Sequence, residues 1–115
     1  MNQLWNALVL VREGKMCKHT RDDGMGGHCA LGFLDVAYNT AGLARYADFV
    51  PEGKRDIEIL ASTMSDMFPD RVCPEFMDYC DGITVAYINN HDDTTQDNLE
   101  LAFEKAAIRR DELVV

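Results

Sequence analysis

Residues 83–110 read ITVAYINNHDDTTQDNLELAFEKAAIRR, and the fold turns on how this stretch is parsed. It holds an apolar run, a polar turn and a helix with a readable start. The turn Asn89-Asn90-His91-Asp92-Asp93 is built from side chains that bond to nearby backbone instead of supporting regular structure. Thr95 offers a hydroxyl to the open amides of a first helical turn, and Asn98 can answer it in a weakened capping box. Asp93 and Thr94 are alternative caps. Leu99, Ala102, Phe103 and Ala106 then recur at helical spacing. Asp97 near the start and Arg109 and Arg110 near the end suit the helix dipole. In the apolar run, Thr84, Val85, Tyr87 and Ile88 have strand propensity, while Ile83, Ala86 and Tyr87 share a helix face. A lone strand finds no partner in the rest of the chain, so the reading favours helix.

Working outward, residues 2–13 predict a first helix, with Leu4, Trp5, Leu8 and Val11 on one face and Gly14 as the stop. Trp5 serves either as a core anchor or as part of a partner surface. Residues 15–28, KMCKHTRDDGMGGH, carry too many glycines and aspartates for a helix and allow a small β-hairpin turning at Asp22-Asp23-Gly24. From Cys29 the helical pattern returns. Ala30, Leu31, Leu34, Ala37 and Tyr38 lie along one side, with Gly42 as the stop. Gly32 inside that helix costs about 1 kcal/mol against alanine, which predicts close packing against a neighbouring helix. A connection at residues 43–54 holds a short helical turn and ends at Pro51, Gly53 and Lys54. Ile57, Leu60, Ala61, Met64 and Phe68 predict a third helix over 55–68, stopped by Pro69. Residues 74–80 read as one short helix starting at Pro74.

The expected architecture is therefore a mainly α, compact bundle of four or five short helices, with a small β-hairpin accommodated near residues 15–28. At 115 residues and 47% apolar content, one domain with a modest core is expected. Eleven basic against twenty acidic side chains give a net charge of −9. That charge disfavours direct contact with nucleic acid or an anionic membrane. No apolar stretch is long enough to span a bilayer, and no secretory leader is visible. A cytoplasmic location follows as the expectation, with Cys17, Cys29, Cys73 and Cys80 as thiols.

Two motifs carry a resemblance. GGHCALGFLDVAY, followed some fifty residues later by the Asn-rich turn and its capped helix, resembles a family of small uncharacterised actinobacterial and bacteriophage proteins. The matching residues are Cys29 and Gly32 of a Cys-x-x-Gly helix start, then Asn89, Thr95, Leu99, Ala106 and Ala107. The resemblance implies a mostly helical domain and a phage or mobile-element origin; it brings no activity with it. Ile88 and Asn90 stand where that family usually carries tryptophan and aspartate, which argues against an acid–base site in the turn.

Four constellations have chemical meaning. Cys17, His19, His28 and Cys29 are zinc-type ligands around a glycine-rich loop, although adjacent His28 and Cys29 strain a tetrahedral set. Cys29 near a helix start, with His28 or His91 as base, has the parts of a thiol nucleophile. Gly24, Gly26 and Gly27 beside Lys15, Lys18, Arg21 and His28 can bind a nucleotide-like anion through backbone amides, without the Lys-Ser/Thr ending of a phosphate loop. Asp92, Asp93 and Asp97 lack calcium-loop spacing and are explained by helix capping. The leading expectation is a non-enzymatic, acidic interaction protein without a cofactor. It would act as a phage-type accessory or counter-defence factor on a host protein, through Trp5, Tyr46, Phe49, Phe76 and Tyr79. The alternative is a small-ligand or zinc site on the loop: Lys18, Arg21, Gly26, Gly27 and His28 for an anion, or Cys17, His19, His28 and Cys29 for a metal. The apolar stripes are equally compatible with a homodimer.

Overall fold

The computed structural model describes residues 2–39, 46–72 and 81–113. Among them the chain is a helical bundle of α1 (Gln3–Glu13), α2 (Ala30–Tyr38), α3 (Tyr46–Phe49), α4 (Pro51–Met67), α5 (Asp81–Asn90) and α6 (Gln96–Glu112). A small parallel pair, β1 (Lys15–Met16) and β2 (Gly27–His28), precedes α2. The expected helix at residues 74–80 and the expected stop at Gly42 lie outside the described residues.

Helix α6 begins as its sequence implies. Thr95 accepts from the Asn98 amide, and the Asn98 side chain accepts from the Thr95 amide, which completes the capping box. Thr94 does not cap the helix. Its buried hydroxyl donates to the Ile88 carbonyl at 2.6 Å and closes the turn after α5. Helix α1 lies antiparallel against α6. Its buried face is Leu4, Ala7, Leu8 and Val11, and that of α6 is Leu99, Ala102, Phe103, Ala106 and Ala107. Polar ties hold both ends. Asn2 caps α1 and donates to Ala107 and Asp111, while the Trp5 indole N–H donates to Asp111 at 2.8 Å. These donors, Trp5 first, hold the Asp111 carboxyl below the usual carboxylate range. At the other end, Gln96 donates to the carbonyls of Val11 and Gly14 and accepts from the Met16 amide.

Helix α2 is the centre of the bundle. Every residue from Ala30 to Asp35 is buried, so this helix is covered on all sides rather than along one stripe. Its last residue is Tyr38, and the Asn39 amide donates to the Asp35 carbonyl. Gly32 does mark a close approach, but the neighbour is loop backbone rather than a helix. A Cβ there would lie 2.1 Å from the Arg21 carbonyl oxygen. Helix α4 starts at Pro51, four residues earlier than its apolar stripe suggests, because proline fits the first helical position. Gly53 falls in that first turn, where a Cβ would lie 2.2 Å from the Ala47 carbonyl oxygen. Gly53 is thus where α3 meets α4, not the end of a connection. Residues 83–88 are helical, as part of α5.

Residues 15–28 pair with themselves, but β1 and β2 run parallel instead of forming a simple hairpin. The chain reverses twice between them. His19 takes a left-handed backbone (φ 70°), and Gly24 and Gly26 do the same at 76° and 89°. Asp22, between the reversals, bridges antiparallel to His28.

Helix propensity favours alanine over glycine by about 1 kcal/mol, whereas the Arg21 carbonyl leaves no room for a methyl group at position 32. Gly32→Ala is expected to lower the unfolding free energy by about 2 kcal/mol. A urea titration that finds the variant more stable than the parent refutes the close approach.

Candidate functional site

The double-reversing loop is held by three sets of side chains. The first is centred on Asn89, fully buried at the end of α5. Its carbonyl accepts from the Ala30 amide at 3.0 Å, and its amide donates to the Cys17 carbonyl at 3.1 Å. Asn90 next to it accepts from the His19 amide at 2.7 Å, which holds the left-handed residue in place. Lys18 donates to the His91 carbonyl. The Asn-rich turn and the glycine-rich loop, far apart in sequence, are therefore one structural unit.

The second set surrounds Arg21. Its guanidinium pairs with Asp35 and Asp48, each at 2.9 Å. Asp35 is buried inside α2 and also accepts from the Ala47 amide at 3.1 Å, so one carboxylate joins loop, α2 and α3. Breaking such a pair on one side costs more than the pair contributes, because the remaining charge stays buried.

The third set is internal to the loop. Asp22 accepts from the Gly24 amide, and Asp23 accepts from the Met25 and Gly27 amides, all at 2.8 Å. Those amide bonds hold the Asp23 carboxyl below the usual carboxylate range. The concave run of amides that suggested an anion site thus already holds the chain's own anion.

Beside this loop lies a cleft of about 970 Å³, bordered by α3, α4 and α5. Leu31, Ile57 and Cys29 are buried at its base, and Ala86 and Ile83 continue the apolar lining. The charged lining comprises Asp22, Asp48, Glu58 and Asp81 against Arg21 and Lys54, and Arg21 is already committed to its two carboxylates. Phe49, next to Asp48 at the end of α3, is 76% exposed.

The residues expected to act together fall in different settings. Among the described residues, no group of three or more His, Cys, Asp and Glu is placed to hold a metal ion. Cys17, His19, His28 and Cys29 do not form a ligand set, because His28 and Cys29 are successive residues of extended chain and face opposite ways. The His28 ring stands edge-on to Phe33 at 5.3 Å, whereas Cys29 lines the cleft. Burial pushes the Cys29 thiol up, against the lowering pull of the Gly32 and Leu31 amides. His91, the other candidate base, accepts from the Asp93 amide through Nδ1. Of the anion set, Lys18 and Arg21 are engaged within the protein, and the Gly27 amide is taken by Asp23. Of the partner-binding set, Trp5 is half-buried and tied to Asp111, and Phe49 is open. Phe76 and Tyr79 lie outside the described residues, as does the Tyr46 side chain.

Sequence reasoning missed Asp35, Asp48, Glu58 and Asp81. The findable signal was Asp35, a lone charge in the apolar run CALGFLDVAY. A buried carboxylate there requires a cation from elsewhere, and Arg21 supplies it. No family model matches this chain, and no curated protein or solved structure matches it either. Among the described residues, no helix is long and apolar enough to cross a membrane.

Two expectations follow. Because the Asp23 carboxyl is depressed in the folded loop, its contribution is present above the ordinary carboxylate value and fades as pH falls through the depressed one. The amide resonances of Met25 and Gly27 should titrate together in acid, with a midpoint below 3.8. Independent or higher midpoints contradict the arrangement. Asn89→Ala strands the Ala30 amide and the Cys17 carbonyl, and should cost about 3 kcal/mol in chemical denaturation. A loss under about 0.5 kcal/mol contradicts the clamp.

Proposed function

We propose that this chain is a small acidic protein that works by binding rather than by turnover. Its cleft receives a protein segment in which a basic side chain stands next to a large apolar one. The observation that carries this reading is the cleft's make-up: an apolar base of Leu31 and Ile57 inside a lining where carboxylates outnumber cations. Phe49, next to the cleft-lining Asp48 in sequence, is an exposed apolar side chain. Electrostatic attraction to a basic partner speeds encounter and sets orientation, and the buried apolar contact supplies most of the affinity.

Charge placement across the molecule supports the same reading. Arg21, Arg71, Arg109 and Arg110 turn toward internal partners, namely Asp35 and Asp48, Thr94 and Asn98, Asp66 and Thr63, and Asp56. Arg12 pairs with Glu100. Glu58 and Asp81, beside the cleft, are exposed carboxylates of a chain whose net charge is −9. A phage-type accessory or counter-defence role, with a host protein as partner, extends this reading on the resemblance alone.

The test is a titration of the isotopically labelled protein with short peptides that place Lys or Arg beside Leu or Phe. Backbone resonances of Leu31, Ile57, Glu58 and Ala86 are expected to shift together. Glu58→Lys should weaken the response about tenfold, and the effect should shrink at high salt. A nucleotide or other small anion that shifts these resonances while every such peptide leaves them unchanged refutes the proposal.

A further inference from the structure

Two of the thiols, Cys17 and Cys29, each stand one residue beyond the paired ends of the small sheet. The parallel register pairs Lys15 with Gly27 and Met16 with His28, so the next step places Cys17 beside Cys29. The last ladder bond, from the Cys17 amide to the His28 carbonyl at 2.9 Å, brings Cys17 up to this step, and beyond it the Asn89 side chain bridges the Cys17 carbonyl to the Ala30 amide. Cys29 still has extended backbone, φ −80° and ψ 177°, before α2 begins. Matched residues on neighbouring strands project to the same face, and the strands lie about 4.8 Å apart. That spacing falls inside the range of about 4.4–6.8 Å between Cα atoms that a disulfide spans. Both cysteines are free thiols, Cys17 half-buried and Cys29 buried.

We propose that Cys17 and Cys29 form a reversible disulfide, a redox clamp that closes the glycine-rich loop on itself. The oxidant is a small disulfide of the glutathione class. The more accessible Cys17, as thiolate, attacks one glutathione sulfur, forming a mixed disulfide and releasing glutathione thiolate. Cys29, as thiolate, then attacks the Cys17 sulfur and expels the second glutathione. Two electrons pass from the protein thiols to the oxidant, and the two thiol protons end on two reduced glutathione molecules.

The surroundings set the pace. Burial first, then the charges of Cys29, Asp23 and Asp22, raise Cys17. Burial also raises Cys29, assisted by Asp35 and opposed by the Gly32 and Leu31 amides and by Arg21. Exchange therefore quickens as the solution is made alkaline, as expected of a clamp that responds to sustained oxidation rather than of a catalytic thiol. Its consequence is local. Cys29 and residues 19–22 line the cleft, so the bond ties that wall to β1.

The full chain is incubated with oxidised and reduced glutathione in varying ratio, quenched in acid and mapped by peptide mass. A parallel series uses the Cys73→Ser, Cys80→Ser variant. In both, the expected product has lost two hydrogens and yields one linked peptide containing Cys17 and Cys29, with a melting midpoint raised by about 5 °C. In the Cys73→Ser, Cys80→Ser background, Cys17→Ser should remain without a linked peptide, and Cys29→Ser should stop at a single glutathione adduct. The proposal is overturned if the native chain takes up separate adducts at both cysteines, or links either of them to Cys73 or Cys80. It is also overturned if the native chain stays unlinked at ratios that link it in urea.

Discussion

The rest of the structure depends on one buried amide side chain. Asn89 sits where the end of α5, the start of α2 and the glycine-rich loop meet, and it offers an acceptor to one of those segments and a donor to another. A buried carbonyl or amide left unpaired costs on the order of 1–3 kcal/mol, so the geometry around Asn89 is tightly constrained. An aspartate lacks the N–H groups that Cys17 requires, and a leucine of similar volume satisfies neither neighbour. Because the loop is pinned at Cys17 and His19, Arg21 is delivered to Asp35, and the cleft wall follows from that placement.

Charge is handled in the same way, by position. Asp35 and Asp56 are both buried in helices, and each is answered by an arginine from a distant element. Asp56 also accepts from the Tyr38 hydroxyl, which joins α2, α4 and α6 around one carboxylate. Burial outweighs both partners and raises the Asp56 carboxyl, while burial and the bond to Asp56 raise the Tyr38 hydroxyl. These pairs give little net stability over an apolar core. What they contribute is pairing: each buried carboxylate requires one particular arginine, and that excludes helix arrangements that apolar contacts alone would tolerate.

The glycine-rich loop shows how one set of residues supports two opposite readings. Glycines with positive φ turn backbone amides toward a common centre, and an external anion can occupy it. Here Asp23 occupies it from within the same turn. The loop is thus a self-satisfied turn that shapes the wall of a cleft. Arg21 braces that wall through Asp35 and Asp48.

Several features were legible in the chain because they rest on interactions a few residues long. The capped start of α6, the apolar faces of α1 and α6, and the helical nature of residues 83–88 all belong to this class. So does the mainly helical fold, which follows once the stripes are recognised. What only tertiary structure decided are contacts between residues far apart in sequence. The parallel direction of β1 and β2, the loop carbonyl against Gly32, the arginine chosen by Asp35 and the lining of the cleft all depend on where distant segments come to lie. Local periodicity records which side of a helix is apolar; it does not record which polar group waits on the other side.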